Sequence, residues 1–317
     1  MLALTEKAER FRALHRSPGT FVLPNAWDVP SARIFEEAGF PAVATSSAGA
    51  MVSLGYPDGE RIPRSEYLAA VHRIAARLTV PLSADIVAGF GRSPEEVADT
   101  VRAAVGAGAV GINLEDQDPD GEGILPLDGQ LDKLRTVRAV AEELGVPIVV
   151  NARTDVLGRG RGEPTERFRE AVRRCRAFRE AGADCVYPMR LVAREEIARF
   201  LEEVPGPVNV MVRPGLPPLA DLSRLGVRRV SFGPAASYAA MGLLRRVGRE
   251  ILEEGSFRSL TEGAITFDEL NRLAGPTGSG PRPEERGVSA GASPRPRRGR
   301  RASAGRPAPS RRRRPAP

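Results

Sequence analysis

The sequence predicts an α/β protein, a (β/α)8 barrel of the TIM type, and three observations predict it. Eight short apolar runs alternate with longer amphipathic stretches between about residues 20 and 255, the rhythm of strand–helix units with short connections. Glycine follows five of the helical stretches, at Gly39, Gly108, Gly145, Gly182 and Gly226, where a helix end tolerates the left-handed conformation. Three of the apolar runs end in charge, as strands do where a parallel α/β enzyme builds its site. An open doubly wound sheet is the alternative with the same alternation.

The chain opens on an amphipathic helix carrying Glu6, Lys7, Glu9 and Arg10, without the apolar stretch of a secretion signal. The first strand is expected over 21–25, and Asn25-Ala26-Trp27-Asp28-Val29-Pro30-Ser31 leads it into a helix. Asp28 or Ser31 is the N-cap there, and Trp27 packs at the barrel mouth. Further strands are expected over 42–46, 81–86, 111–116, 147–153, 185–189, 208–212 and 229–233, with helices over 94–105, 128–144 and 165–181 among the stretches between them. A long helix over 235–254 follows the last strand, and a shorter one covers 266–273. Ala235, Ala236, Ala239, Ala240 and Gly242 allow close helix packing on the long one, including against another subunit.

Composition divides the chain in two. The barrel domain is expected over 1–275. From 276 to 317 the residues are mostly Pro, Gly, Ser, Ala and Arg, too poor in large apolar side chains to offset the entropy of ordering, so a disordered tail is expected. The tail holds Arg297-Arg298, Arg300-Arg301 and the run Arg311 to Arg314 against Glu284 and Glu285. The formal charge of +7 therefore describes the tail, and the body is close to neutral or mildly acidic. Arginine runs attract phosphate, but no aromatics are interleaved and no folded platform carries them, so a dedicated nucleic-acid role of the tail is not expected. Cys175 and Cys185 form neither a metal knuckle nor a disulfide framework and read as thiols of a reducing cytosol. No apolar run approaches the ~18 residues of a membrane span. A soluble, cytoplasmic protein is expected.

The charged tips carry the chemistry. Alternate side chains of a strand share a face, so Ser83 with Asp85, Asn113 with Glu115, and Asn151 with Arg153 form three same-side polar pairs. Asp116 falls on the opposite face by the same alternation; Asp155 is expected there with it, and both read as caps or structural pairs. Plainer readings stand beside the functional ones. Asp85 also suits a helix cap, Glu115 and Arg153 suit a buried ion pair, and Asp58 suits a turn in its Gly/Pro loop. His15 and His72 lie on helices away from the tips.

Five segments in order resemble the superfamily of isocitrate lyase and phosphoenolpyruvate mutase. They are Thr45-Ser46-Ser47-Ala48; Leu54-Gly55-Tyr56-Pro57-Asp58; Ser83-Ala84-Asp85 with Gly89-Phe90-Gly91; Asn113-Leu114-Glu115-Asp116; and Asn151-Ala152-Arg153-Thr154-Asp155. The resemblance spans roughly residues 18 to 255. It implies a barrel with a swapped C-terminal helix, a homodimer or homotetramer, and one Mg²⁺ (or Mn²⁺) at the mouth. It also implies a small carboxylate substrate, an α-oxo or α-hydroxy acid or phosphoenolpyruvate, reacting through an enolate. In that pattern Asp85, Asp58 and Glu115 stand around the metal and its waters. Arg153 clamps the substrate and neutralises enolate charge, with Asn113 beside it as a substrate contact. Ser46, Ser47 and Ala48 form the loop that cradles the carboxylate. Elementary chemistry agrees with this arrangement. Mg²⁺ keeps several waters and needs only one or two carboxylates, and a dication with a guanidinium stabilises an enolate oxygen in a dry pocket. A forked guanidinium also orients a carboxylate better than an ammonium does.

The chain departs from that pattern twice. Val87 stands where relatives carry a second acid, a loss that Asp118 or Asp120 would have to make good. The loop from Gln117 to Pro126 lacks the lysine, cysteine and histidine of the lyases and the gating segment of the mutases, and Tyr187-Pro188 replaces the mutases' histidine. The chain is thus most similar to the less characterised branch named after carboxyphosphonoenolpyruvate mutase. Three functions remain open. The first is a Mg²⁺-dependent lyase or decarboxylase, with Arg153 as electrophile and Asp58 or Tyr187 as proton carrier. The second is a phosphonate mutase, with Arg190 and Arg213 as further cations. The third is a carboxylate-binding barrel without turnover.

Overall fold

Pro24 divides the first barrel strand into two short pieces, because a proline nitrogen brings no N–H to the ladder. In this computed structural model, which describes residues 3–276, the pieces are β1 (Phe21–Leu23) and β2 (Asn25–Ala26). The remaining strands are β3 (Val43–Thr45), β4 (Leu82–Asp85), β5 (Gly111–Glu115), β6 (Val149–Thr154), β7 (Cys185–Pro188), β8 (Asn209–Met211) and β9 (Arg229–Ser231). Neighbours pair in parallel along two ladders, β2-β3-β4-β5-β6-β7 and β1-β9-β8. The ladders join at both ends. β1 continues into β2 through Pro24, and a parallel bridge between Val186 and Val208 links β7 to the approach of β8. The ring closes with eight strand positions, the first one split. The expected tail, apart from Pro276, lies outside the described residues.

Helices wrap the ring where the apolar periodicity places them. Pro94–Gly106, Leu127–Glu143, Pro164–Glu180, Ala235–Glu254 and Phe267–Ala274 match the predicted ranges to within one residue at either end. Asp28 caps the helix Val29–Glu37: its Oδ1 accepts the Ser31 N–H at 2.8 Å while Ser31 Oγ accepts the Asp28 N–H at 3.2 Å, a reciprocal capping box. Gly226 ends Leu219–Leu225 with φ +92°, a conformation that a Cβ would strain. The short helix Ser47–Ser53 was not legible in advance.

Strand register sorts the side chains into two shells. Ile112, Leu114, Val150, Val186, Val210 and Val230 face outward beneath the helices and are almost completely buried, each contributing about 1.5–3 kcal/mol. The inner wall is polar instead, with Ser83, Asn113, Asn151, Asn209, Arg229 and Ser231. The helix Leu4–Arg16 closes the floor. A Cβ on Gly111 would lie 2.5 Å from Phe11 Cε1, so the plug fits only over a glycine. The His15 ring stands edge-on between Phe11 and Phe21, 4.9 Å from each centroid. On the outside, Met241, Leu244 and Leu252 of the long helix are exposed, and Tyr238 is exposed at the rim of the cavity described below. No described helix is long and apolar enough to cross a membrane.

Candidate active site

The C-terminal ends of the strands surround a cavity of about 550 Å³. Asp85, the last residue of β4, is its most tightly held carboxylate. The Ser47 backbone N–H donates to Oδ2 at 3.2 Å and Asn113 Nδ2 donates to Oδ1 at 2.9 Å. Asn151 Nδ2 in turn donates to Asn113 Oδ1 at 2.7 Å, so β6 orients β5 and β5 orients β4. The Asp85 backbone is fixed as well, its N–H on Thr45 Oγ1 and its C=O on the Tyr67 hydroxyl. Ser46 Oγ accepts the Gly49 N–H and starts the helix Ser47–Ser53, which brings Ser46, Ser47 and Ala48 to the cavity wall.

Asp58 arrives from the loop after that helix and faces Asp85 across the mouth. The residue as a whole is exposed, yet its carboxyl sits where hydration is poor. That desolvation, followed by the Asp85 charge, raises its pKa, while the Ser47 hydroxyl and Arg153 oppose the rise. Arg153 is engaged on all three nitrogens. Nη1 lies 2.6 Å from Glu115 Oε2, and Nε and Nη2 each donate to Asp155 at 2.8 Å. Desolvation opposes the guanidinium charge, but Glu115 and Asp155 more than offset it and hold its pKa above the usual value. Burial pushes the Glu115 carboxyl the other way, upward, against the pull of Arg153. Tyr187 lies under the guanidinium, 5.7 Å from ring centroid to Cζ. Its phenol, raised well above its ordinary pKa by burial, donates to Met189 Sδ at 2.9 Å.

The cavity thus gathers Asp58, Asp85, Asn113, Arg153, Tyr187, Ser46, Ser47 and Ala48. Glu115 is outside that lining, behind Arg153. Asp155 is not on the opposite face expected of it. Two residues after Arg153, it shares that residue's side under strict alternation, and its carboxylate accepts from Arg153 Nε and Nη2. Asp116 does follow the alternation, buried on the outer face against Thr154 Oγ1 (2.6 Å) and Arg174 Nη1 (3.0 Å). Asn151, Asn209 and Arg229 also line the cavity. The same-side pairing marked Asn151; no sequence signal marked Arg229.

Neither substitute for the missing acid reaches the mouth. Val87 packs in the hydrophobic core with φ +53°, unusual for a β-branched residue. Asp120 is held by Arg92 in a neighbouring surface cleft, through two bonds of 2.5 Å, and Asp118 accepts the Asp120 N–H. Arg213 lines the cavity with its Nη1 buried and without a hydrogen-bond partner among the described residues. Arg190 is exposed and packs over Gly158. Among the described residues no group of three or more His, Cys, Asp or Glu is arranged as a metal cluster. The donor set that remains, Asp85 with Asp58, consists of hard oxygens and suits a Mg²⁺ that keeps most of its waters.

Comparison with known proteins agrees with this architecture. The family model described as phosphoenolpyruvate phosphomutase matches residues 11–252. An uncharacterized protein of Mycobacterium tuberculosis (strain ATCC 25618 / H37Rv) is 36% identical over 242 residues, 75% of this chain and 88% of that protein. The phosphonopyruvate hydrolase of Variovorax sp. (strain Pal2) is 30% identical over 283 residues, 85% of this chain and 95% of the hydrolase. Among solved structures, oxaloacetate acetylhydrolase in complex with the product oxalate superposes with a TM-score of 0.74 at 26% identity, over 86% of this chain and 94% of that one. The chain belongs to the phosphoenolpyruvate phosphomutase family, and so to the isocitrate lyase/PEP mutase superfamily of lyases and mutases.

Proposed function

We propose that the protein is a Mg²⁺-dependent C–C lyase or decarboxylase (Mn²⁺ serving as a substitute) for a small 2-oxo or 2-hydroxy carboxylate, working through an enolate. The observation that carries this reading is the facing pair Asp58 and Asp85 at the cavity mouth, one with a raised pKa and the other fixed by Ser47 and Asn113. A carboxyl moved toward neutrality suits a general base. Asp58 takes the hydroxyl proton of a bound 2-hydroxy acid, the C–C bond breaks, and a carbonyl product leaves behind an enolate. Arg153 retains two N–H groups not used by Glu115 and Asp155, and these donate to the enolate oxygen. Protonation of the enolate carbon, from Asp58 or through the Tyr187 phenol, completes the cleavage. A divalent ion held by Asp85 and Asp58 would supply further positive charge at that oxygen.

A phosphonate substrate is the second reading. Arg213 favours it, since an unpartnered guanidinium at the mouth suits a phosphonate. One assay separates the two: oxaloacetate, 2-alkylmalates and phosphonopyruvate, each with Mg²⁺ and with a chelator. Metal-dependent release of a C–C cleavage product supports the lyase, and turnover of phosphonopyruvate alone supports the second reading. Saturable carboxylate binding with no turnover would reduce the site to a binding barrel. The exposed apolar stripe of Ala235–Glu254 fits burial against a second copy of the chain in a dimer or tetramer, which sedimentation tests. A cytoplasmic location is in keeping with two buried free thiols.

A further inference from the structure

One guanidinium inside the barrel has no hydrogen-bond or ion-pair partner among the described residues. Arg229 begins β9 and is 2% exposed, and its Nε and Nη1 are buried without a hydrogen-bond acceptor. The ion pairs of this region join Arg153 to Glu115 and Asp155, and Arg174 to Asp116. Arg229 belongs to none of them. Register sets it beside Asn209 and Phe21, one layer below Ser231, and it lines the same cavity as Asp85. The wall around it is polar, and Oδ1 of both Asn151 and Asn209 is also unpartnered.

The ionisable groups that act on Arg229 bring little compensating charge. Burial pushes the Cys185 thiol up to about 11 and raises the Tyr187 phenol further, so both are neutral near pH 7. His15 is held down to about 3 by burial and by Arg229 itself, so it is neutral too. Asp85 attracts Arg229, but both its oxygens are engaged at the mouth by Ser47 and Asn113. A guanidinium does not deprotonate in a protein, and a buried charge without a counterion is strongly disfavoured. The missing negative charge has to enter through the cavity.

We infer that Arg229 anchors a second anion site at the barrel floor, distinct from the carboxylates at the mouth, which takes a small oxyanion on Nε and Nη1. The oxyanion has two sources: the far acid group of a two-headed substrate, or a free inorganic anion. Only the first source rests on the lyase reading. In that case Arg229 selects diacids over monoacids.

The test is calorimetry on the full chain with Mg²⁺, using malate, lactate and inorganic phosphate, on the wild type and Arg229→Gln. If the floor takes the substrate's far acid, malate binds at least about tenfold tighter than lactate, phosphate competes with malate but not with lactate, and Arg229→Gln removes the preference while lactate binding stays within about twofold. If the anion is free, phosphate binds alongside malate and is lost in Arg229→Gln. Phosphate binding that depends on Arg229, with neither hydroxy acid bound, sinks the lyase reading and leaves the floor site standing. Affinities for malate and phosphate unchanged in Arg229→Gln, or absence of phosphate binding together with no preference for malate, overturn the inference. Should Arg229→Gln not fold, wild-type crystals soaked in bromide decide. An anomalous peak against the Arg229 guanidinium supports the site, and none at saturating bromide refutes it.

Discussion

Arg153 Nη1 and Glu115 Oε2 approach to 2.6 Å, and with Asp155 on the other edge the guanidinium is bracketed by two acids. Its value to a substrate is therefore the direction of its two remaining N–H groups more than its net charge. A bracketed fork cannot swing, which is the preorganisation that stabilises a developing oxyanion.

Replacing that fork separates direction from charge. Arg153→Lys keeps a cation against Glu115 and Asp155, so the fold should survive, while kcat/KM falls about 10²–10³-fold. Arg153→Met leaves both acids facing each other and should cost about 3–5 kcal/mol of stability. Urea unfolding and steady-state kinetics on the two variants check this. A lysine enzyme with full activity would show that the fork geometry is not used.

Asp85→Asn addresses the ion. The substitution keeps the size of the side chain but removes its charge, and presents an NH₂ where Ser47 N–H or Asn113 Nδ2 now donates. Mg²⁺ or Mn²⁺ affinity, measured with oxalate as an enolate mimic, should fall at least about tenfold. Unchanged affinity would locate the ion elsewhere.

The strand tips were legible because period-two alternation holds for as long as a strand lasts. Ser83 and Asp85, Asn113, and Asn151 and Arg153 therefore share the inner face as the sequence predicts. The same rule, counted two residues on from Arg153, carries Asp155 to that face as well, where it grips the guanidinium, against the expectation that set it opposite. The Pro24 split left only a proline as its trace. Glu115 points toward the inner face but is claimed by Arg153 on the neighbouring strand, a choice set by cross-strand register (Glu115 opposite Arg153) and not by either segment alone. Arg229 was invisible for a different reason. An arginine at the start of a strand reads as surface charge, and only the closed ring shows that nothing among the described residues pairs with it.

The raised pKa of Asp58 has a kinetic signature. A general base must be ionised, so kcat/KM should fall with one-proton slope as pH drops through the Asp58 pKa. Desolvation and Asp85 raise that pKa in the metal-free protein, and a dication held by the same carboxylates would lower it, so rising Mg²⁺ should move the limb to lower pH. Asp58→Asn should lower kcat/KM by about 10²–10⁴-fold and abolish that limb in the residual activity. A limb that survives in Asp58→Asn belongs to another group.

The floor of the barrel predicts where acid will weaken the protein. His15 is buried beneath the ring, with Nδ1–H donating to Phe11 O at 2.9 Å and Nε2 unpartnered, and burial with nearby Arg229 lowers its pKa from 6.5 to about 3. A histidine with a depressed folded pKa takes up a proton more readily when unfolded, so stability rises with pH across the window from about 3 to 6.5 and is lost as pH falls through it. The slope approaches about 1.4 kcal/mol per pH unit, which amounts to about 2 kcal/mol between pH 7.5 and 5.0. Asp116 acts in the opposite sense. Burial raises it to about 6, so its folded form binds the extra proton and gains stability as pH falls from about 6 toward 4. The wild-type curve sums these two with the other shifted carboxyls, Asp58 and Glu115 among them, and His15→Phe isolates one contribution. Phenylalanine keeps the edge contacts with Phe11 and Phe21 and carries no proton. Denaturant unfolding at pH 7.5 and 5.0 should show the wild type losing about 2 kcal/mol more than the variant. Equal losses in the two proteins would mean that the His15 pKa is not depressed by the fold.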